Sequence, residues 1–289
     1  MRLPRRRTRR HGCSTVPPVE TEYWNGEAGR AWAEGAPMMD RILLPFAETL
    51  LDAAGLPENG VLVDVGCGCG ATTLLAADRH PRLTAVGVDV SRPMLAVARQ
   101  RAQARSNVTF VESDAARGAL EAGPADRIVS RFGVMFFPDP TAAFGNLRAW
   151  LRPRGTFTAI VWNPIADNPW LRDMVNIVGR HTPLEWEPGD GPGPFALGDA
   201  AKTATMLQSA GWTEVEQQDL DLPMRVEGSI EEVVDFCLHR GPVATALADA
   251  TEEARAKVLH DLDAWVRQRH DGAGASLEAS TRCVRAVAP

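Results

Sequence analysis

One stretch, residues 61–77, constrains the fold more than any other part of the chain. It opens with an apolar, β-branched run (residues 61–65) of the kind found in strands covered on both faces of a parallel sheet. Gly66, Gly68 and Gly70 follow, and their missing Cβ atoms permit positive φ angles and a close approach of the backbone to a ligand. The stretch therefore predicts a buried strand, a tight turn and a helix whose free N–H groups face a small polar ligand.

An aspartate 19 residues beyond Gly70 narrows the choice of ligand. Asp89 closes a second apolar run, residues 83–88, so its carboxylate should emerge at the carboxyl end of the neighbouring strand. A carboxylate in that place accepts hydrogen bonds from a ribose diol. Dinucleotides and S-adenosylmethionine are both bound in this way. The spacing Gly66-x-Gly68-x-x-Ala71 also satisfies the dinucleotide pattern, so the glycines alone leave both cofactors open.

Four flanking motifs separate the two cofactors. Asp64 precedes the turn, the pair Asp114–Ala115 follows the third predicted strand, and the segments 126–137 (DRIVSRFGVMFF) and 151–157 (LRPRGTF) come next in order. Together, across residues 61–162, they resemble the class I S-adenosylmethionine-dependent methyltransferases. The likeness is to the small-molecule branch that includes the ubiquinone and menaquinone C-methyltransferases.

The resemblance implies an α/β fold with a Rossmann-like, doubly wound sheet of seven mostly parallel strands. It also implies that the last strand, residues 275–287, is an antiparallel edge strand. Two insertions, at 163–200 and 228–272, interrupt the second half and are expected to form a helical cap over the substrate. The implied S-adenosylmethionine site comprises Asp64, Gly66, Cys67, Gly68, Gly70, Asp89, Val90, Met94, Asp114, Ala115, Ser130 and Arg131.

The amino-acid composition indicates the cellular compartment of the protein and the kinds of partner it can have. The 289 residues are 45% apolar and 24% charged, which is ordinary for a globular enzyme, and no apolar run approaches the roughly 18 to 20 residues that span a bilayer. The odd number of cysteines, five, does not resemble a disulfide framework, so we expect a reducing cytoplasm. Cys67 and Cys69 lack partner ligands nearby and are interpreted as small residues of the turn, with no metal.

The charge is distributed unevenly along the chain. Six arginines fall in the first ten residues, and the net charge of −6 becomes −12 without their six positive charges. An acidic body argues against a nucleic-acid substrate, because affinity there depends on neutralising phosphates. Residues 1–18 are interpreted as a flexible basic tail, with an RNA-binding arm or a targeting signal as alternatives. Residues 19–289 are predicted to form a single methyltransferase domain, with a homodimer as a possible assembly.

Aromatic residues near the predicted site favour a small, largely apolar aromatic acceptor, such as a phenol, quinone or indole of natural-product type. The resemblance favours transfer to carbon, with nitrogen or oxygen as alternatives. Candidates for a general base are Tyr23, His181 and His239, although a surface position is the commoner outcome for a histidine. Substrate contacts are expected from Tyr23, Trp24, Phe137, Trp162, Trp170, His181 and His239. An NAD-dependent oxidoreductase and a non-catalytic binding module remain alternatives.

Overall fold

The computed structural model describes residues 21–184, 191–239 and 241–289. The predicted tail, residues 1–18, lies outside them. Besides two short 3-10 helices, the described residues form eleven α-helices: α1 (Thr21–Asn25), α2 (Glu27–Glu34), α3 (Ala36–Ala54), α4 (Ala71–Arg79), α5 (Arg92–Ala102), α6 (Pro140–Trp150), α7 (Pro169–Gly179), α8 (Ala200–Ser209), α9 (Ile230–Leu238), α10 (Gly241–Ala248) and α11 (Glu252–Arg267).

Within the same described residues the strands are β1 (Asn59–Val65), β2 (Arg82–Asp89), β3 (Val108–Glu112), β4 (Ala125–Arg131), β5 (Leu151–Trp162), β6 (Thr213–Asp221), β7 (Met224–Glu227), β8 (Gly274–Leu277) and β9 (Ser280–Val287). Seven of them form one sheet in the order β3-β2-β1-β4-β5-β9-β6. Strands β1 to β5 are parallel, and the strand order reverses between β1 and β4. A crevice at the carboxyl ends of these strands is the ligand-binding position in such sheets.

The doubly wound sheet and its antiparallel strand are confirmed, but the strand is not at the edge. β9 is antiparallel to β5 on one side and to β6 on the other, so β6 forms the edge. The predicted strand 275–287 is also two strands, because residues 274–277 pair with β7 in a separate two-stranded sheet. Hydrophobic periodicity identifies an extended segment but does not specify which strand it pairs with.

The long helix α3 covers the sheet beside β4 and β5. Its apolar side chains recur at helical spacing, Phe46 and Leu50 are fully buried, and the helix ends at Gly55, whose φ of +55° stops the helical hydrogen bonding. On the opposite face of the sheet, Phe144 of α6 packs edge-on against Phe157 of β5, with the ring centroids 5.3 Å apart. The central strands are thus covered on both faces, as their continuous apolar runs predict.

Both cap insertions contain helices in the part of the chain that the structure describes. α7 belongs to the first insertion, and α9, α10 and α11 belong to the second. α7 packs against both α10 and α11, so the two insertions meet in one helical layer. Among the described residues, no helix is long and apolar enough to cross a membrane.

Candidate active site

The glycine turn lies between β1 and α4, and all three of its glycines have positive φ angles: +69° at Gly66, +55° at Gly68 and +83° at Gly70. Several of its amides are already used inside the protein. The N–H groups of Gly66 and Cys67 donate to the carbonyl oxygen of Val88 at 2.8 and 3.2 Å, and the N–H of Gly70 donates to Cys67 at 2.9 Å. The turn is therefore fixed to the end of β2 by main-chain hydrogen bonds.

The three glycines are required for different physical reasons. A Cβ atom on Gly66 would lie 2.7 Å from the Cα of Gly133, in the loop after β4, and one on Gly70 would lie 2.6 Å from the Phe110 ring. A Cβ on Gly68 would meet only the Met94 sulfur, at 3.6 Å. Gly66 and Gly70 thus serve packing within the protein, whereas Gly68 has open space beside it for a ligand.

Asp89 lies at the carboxyl end of β2, as predicted, with 8% of its surface exposed. One carboxylate oxygen accepts the N–H of Gly68 at 2.8 Å and the other accepts the N–H of Ser91 at 2.8 Å. Burial raises the pKa of the Asp89 carboxyl, and these backbone hydrogen bonds counteract the rise. Each oxygen has a second lone pair, so the carboxylate can still accept from a ribose diol. Val90 and the buried Met94 flank it.

The remaining predicted cofactor residues are divided between exposed and buried positions. Asp114 is exposed after β3 and accepts the N–H of Ala116 at 2.9 Å, and Ala115 is buried beside it. The Ser130 hydroxyl is fully buried, donates to the carbonyl oxygen of Val65 at 2.8 Å and accepts the N–H of Val134 at 3.2 Å. Its role in this structure is to join the end of β1 to the loop after β4.

Asp64 and Cys67 are buried in the protein interior, and Cys69 of the same turn is half-buried. Asp64 accepts the Thr73 hydroxyl at 2.6 Å, and burial raises the pKa of its carboxyl to about 6. Burial likewise raises the pKa of the Cys67 thiol well above its usual range and that of Cys69 to about 11, so both thiols are protonated at neutral pH. No group of three or more potential metal ligands occurs in the described ranges of the chain.

An aromatic cluster lies at the carboxyl ends of β4 and β5. The rings of Phe132 and Trp162 stack with centroids 4.2 Å apart and planes within 7° of parallel. Phe46 meets both of them edge-on, and Trp170 lies 5.4 Å from Trp162. Phe132 has a φ of +64°, an uncommon conformation for a side chain of this size. The structure thus brings together Trp162 and Trp170, both predicted, with Phe132, which was not.

The N-terminal helix α1 is attached to the segment that follows Asp89. The Asn25 amide donates to the carbonyl oxygen of Val90 at 2.9 Å and accepts the N–H of Arg92 at 2.9 Å. Ser91 occupies the N-cap position of α5, but its hydroxyl donates to the carbonyl oxygen of Trp24 at 2.7 Å. Asn25 therefore caps α5 from a distant part of the chain, a role that no local pattern indicates.

Through this attachment, Tyr23 and Trp24 lie between the end of β2 and the loop after β4. The Trp24 ring meets Tyr23 and Phe136 edge-on, at centroid distances of 5.1 and 5.2 Å. Tyr23 is 54% exposed, and partial burial raises the pKa of its hydroxyl. Phe137 belongs to a different contact, because its ring packs edge-on against Phe144 at 5.8 Å.

The structure does not bring the two histidines together with the cofactor residues. His181 contacts Asp261 of α11 at 2.8 Å, inside the cap. His181 follows the end of α7, and Trp170 lies at the start of that helix, so the two residues are about 15 Å apart along the helix axis. His239 is exposed at the end of α9, where its Nδ1 lies 2.8 Å from the carbonyl oxygen of Asp235.

The residues at the carboxyl edge fit S-adenosylmethionine. Asp89 offers free lone pairs to a ribose, Gly68 leaves room for a close approach, and the buried Ala115 provides a small apolar contact after β3. Phe132 and Asn25 were missed by sequence reasoning. Phe132 belongs to residues 126–137, a segment that indicated the cofactor site. Its position directly after Arg131 is the sequence signal that could have identified it.

Comparisons with known proteins identify the same fold and chemistry. A family model described as a methyltransferase domain matches residues 62–155. Nocamycin O-methyltransferase from Saccharothrix syringae is 30% identical over 213 residues, covering 68% of this chain and 74% of that protein. Demethylmenaquinone methyltransferase from Thermus thermophilus is 35% identical over 104 residues, covering 36% of this chain and 47% of that protein. The chain thus matches less than half the length of the second relative.

Among solved structures, phosphoethanolamine N-methyltransferase 2 from Haemonchus contortus, in complex with S-adenosyl-L-methionine, superposes with a TM-score of 0.58 at 17% identity. The match covers 94% of this chain and 60% of that one. At this identity it shows the fold alone. Nocamycin O-methyltransferase, which is matched over most of its length, shows the family to which this chain belongs. The alternative of an NAD-dependent oxidoreductase is therefore wrong. This chain belongs to the class I S-adenosylmethionine-dependent methyltransferases.

Proposed function

We propose that this methyltransferase acts on a small, largely apolar aromatic metabolite, such as a phenol, quinone or indole of natural-product type. The aromatic cluster of Phe46, Phe132, Trp162 and Trp170 is the observation that carries the proposal. Phe46 and Trp162 are buried behind the half-buried rings of Phe132 and Trp170, and an aromatic surface of this kind favours a planar acceptor, because aromatic pairs add to the free energy of apolar burial.

The chain's own residues position the two reactants and exclude water. Asp89, Gly68 and Ala115 would hold S-adenosylmethionine, which supplies a sulfonium methyl group that is already activated for transfer. The aromatic cluster orients the acceptor, and α1 covers the mouth through Trp24. Holding the acceptor atom in line with the methyl group accounts for catalysis without a covalent enzyme intermediate.

Oxygen is the acceptor atom that we favour, which departs from the expectation of carbon. Methylation of a ring carbon leaves a proton to be removed, and His181 and His239 contact cap residues rather than the cofactor residues. The Tyr23 hydroxyl, with its raised pKa, is protonated at neutral pH and is a poor base. A phenol whose pKa lies near or below the ambient pH is ionised in water, so such an acceptor, unlike an unsubstituted quinone or indole, loses its proton before transfer and needs no enzyme base. Nocamycin O-methyltransferase, which is matched over 68% of this chain, is also an O-methyltransferase.

Carbon is the second candidate, and the likeness to a demethylmenaquinone methyltransferase supports it. In that case Tyr23, the candidate base nearest to the strand ends, would have to relay the proton to solvent. The two candidates differ in the methylated atom of the product, which NMR identifies directly.

We also infer that the insertions 163–200 and 228–272 cap the acceptor within a single domain. Packing of α7 against α10 and α11 supports this inference. Hydrogen exchange with S-adenosylhomocysteine and acceptor bound should then protect residues 163–184. Equal protection of this segment in the free and bound protein would argue against closure of the cap.

A screen of aromatic metabolites with isotopically labelled cofactor tests the main proposal. Mass spectrometry identifies the methylated compound, and single variants then test the aromatic cluster. Phe132→Ala should lower kcat/KM for that acceptor by about 10-fold or more and leave S-adenosylhomocysteine affinity unchanged within about twofold. Phe137→Ala is the matched control, since its ring packs on Phe144. Exclusive methylation of a protein, a nucleic acid or a phosphorylated compound would overturn the proposal.

A further inference from the structure

Asn168 lies at the N-cap position of α7, near the start of the first insertion, and its side chain is fully buried. At this position an asparagine side chain ordinarily accepts an N–H group from the first turn of its own helix. Here the Asn168 oxygen instead accepts the indole N–H of Trp170 at 3.2 Å and the main-chain N–H of Ser280 at 2.9 Å. The side chain therefore joins an aromatic ring to the start of β9.

The Asn168 amide forms all the hydrogen bonds that its chemistry allows. Its nitrogen donates to the carbonyl oxygen of Asn163 at 2.8 Å and to that of Pro164 at 3.1 Å. A carboxamide has two N–H donors and two lone pairs on its oxygen, and all of them have partners here. The reversed amide would place its oxygen against two carbonyls and its nitrogen against two N–H groups. These partners thus fix the direction of the oxygen that holds Trp170.

Trp170 is held through both its main chain and its ring. Its main-chain N–H donates to the carbonyl oxygen of Glu278, before β9, at 3.3 Å, and its ring nitrogen donates to Asn168. The last side-chain torsion of tryptophan has broad preferences, so a hydrogen bond at the ring nitrogen selects one ring plane. The half-buried ring lies 5.4 Å from that of Trp162, with the planes 48° apart. Asn168 consequently determines which surface Trp170 presents in the aromatic cluster.

Asn163 provides a comparison, because it lies in the same connection and also bonds to β9. Its side-chain nitrogen donates to the Ser280 hydroxyl at 2.9 Å and to the carbonyl oxygen of Thr281 at 3.1 Å, and the residue is only 3% exposed. These bonds anchor the insertion to β9 without involving the Trp170 ring. A residue that served only as an anchor would need bonds of this kind alone, whereas Asn168 also holds the indole.

We propose that Asn168 is a positioning residue for acceptor selection. It sets the plane of the Trp170 indole and thereby the shape of the surface that receives a planar acceptor. The inference rests on the proposed function, because it takes the aromatic cluster as the binding surface for the acceptor. Asn168 acts through the ring, since its own side chain is fully buried.

A double-mutant cycle tests the proposal with the acceptor that the metabolite screen identifies. Asn168→Ala should raise the acceptor KM by about 3-fold to 10-fold, the range for one hydrogen bond, and leave kcat and S-adenosylhomocysteine affinity unchanged within about twofold. In a Trp170→Phe background the same replacement should change KM by less than about twofold, because a phenyl ring has no N–H to hold. Asn163→Ala is the matched control and should leave the acceptor KM unchanged within about twofold.

Circular dichroism gives a second readout that needs no acceptor. The indoles of Trp162 and Trp170 are close and tilted, so their electronic transitions couple and give two bands of opposite sign. Trp170→Phe identifies this signal, because it removes one of the two indoles. Asn168→Ala should change the amplitude of the signal, and Asn163→Ala should preserve it.

Three results would overturn the proposal. They are an equal loss from Asn168→Ala in both backgrounds, the same loss in Asn163→Ala, and an unchanged coupled signal in Asn168→Ala. Failure of the proposed function is distinguishable, because Phe132→Ala would then leave kcat/KM for the aromatic acceptor unchanged. That loss would persist if only the role of Asn168 were wrong.

A replacement within the ring keeps the proposal testable if Asn168→Ala does not fold. Benzothienylalanine incorporated in place of Trp170 has nearly the same shape as tryptophan but carries sulfur where the indole has its N–H. It should raise the acceptor KM by about threefold or more, since only the hydrogen bond to Asn168 is lost. An unchanged KM in that protein would be equally negative.

Discussion

The carboxyl edge of the sheet and the cap are stabilised by different kinds of interaction. At the edge, main-chain amides of the glycine turn donate to Val88 and Asp89, and Gly66 packs directly on Gly133. In the cap, the helices bury apolar side chains, such as Val178 of α7 and Leu262 of α11, and the insertions are also linked by polar pairs, such as His181 with Asp261 at 2.8 Å. Partly exposed pairs of this kind contribute little to stability. The comparison indicates that main-chain hydrogen bonds fix the cofactor edge, whereas the cap depends on the packing of its side chains.

The largest expected effect on stability is at the edge, at Gly66. Gly66→Ala would combine the cost of a positive φ with a clash against the Gly133 backbone, and should lower the free energy of unfolding by about 2–5 kcal/mol. Gly55→Ala is the control, because Gly55 has a φ of +55° and open space around it. It should cost only about 1–2 kcal/mol in urea denaturation. Equal losses in both variants would mean that the edge is less tightly packed than the structure indicates.

The second prediction concerns the pH dependence that Asp64 gives to the edge. Its pKa is raised from 3.8 to about 6 on folding, so the folded chain binds the proton more tightly than the unfolded chain. The contribution of Asp64 to stability is therefore fully present below pH 4 and is lost as the pH rises through 6. The free energy of unfolding of the wild type relative to Asp64→Asn should fall by on the order of 3 kcal/mol between pH 4 and pH 7. A pH-independent difference would contradict the raised pKa.

Cofactor affinity should depend more on the buried carboxylate of the edge than on the exposed one. Asp89→Ala should weaken S-adenosylhomocysteine binding by about 2 kcal/mol or more, because hydrogen bonds to a buried polar partner are lost. Asp114→Ala should cost about 1 kcal/mol or less, since Asp114 is exposed. Calorimetry measures both, and a thermal melt confirms folding. A larger loss at Asp114 would place the main polar contact after β3 instead.

The smallest expected effects are in the cap. His181→Gln and His239→Gln should change single-turnover methyl transfer by less than about threefold, whereas removal of a true general base costs on the order of 100-fold. Tyr23→Phe should be measured in the same series, because Tyr23 is the candidate general base that lies nearest to the site. A 100-fold loss at either histidine would mean that the cap carries catalytic chemistry, and the contrast between the two regions would fail.

Much of the cofactor edge could be predicted from the sequence, because its determinants are local. A strand, a glycine turn and a helix are contiguous in residues 61–77, and Asp89 ends the next strand in the same way. Side-chain periodicity and the conformational freedom of glycine are properties of short segments. The positions of β1, β2 and α4 therefore followed from the sequence. The sequence did not show why glycine is needed at Gly66, Gly68 and Gly70, because each reason depends on a neighbour that is distant in the chain.

The acceptor side depends on contacts between distant segments, and the sequence alone was insufficient there. Nothing local places Phe132 against Trp162, makes Asn25 the cap of α5, or inserts β9 between β5 and β6. The sequence by itself determined the alternating strands and helices, the glycine turn and the carboxylate at Asp89. The tertiary structure decided which aromatic rings meet and where the histidines lie, because packing energies arise only once remote residues share a surface.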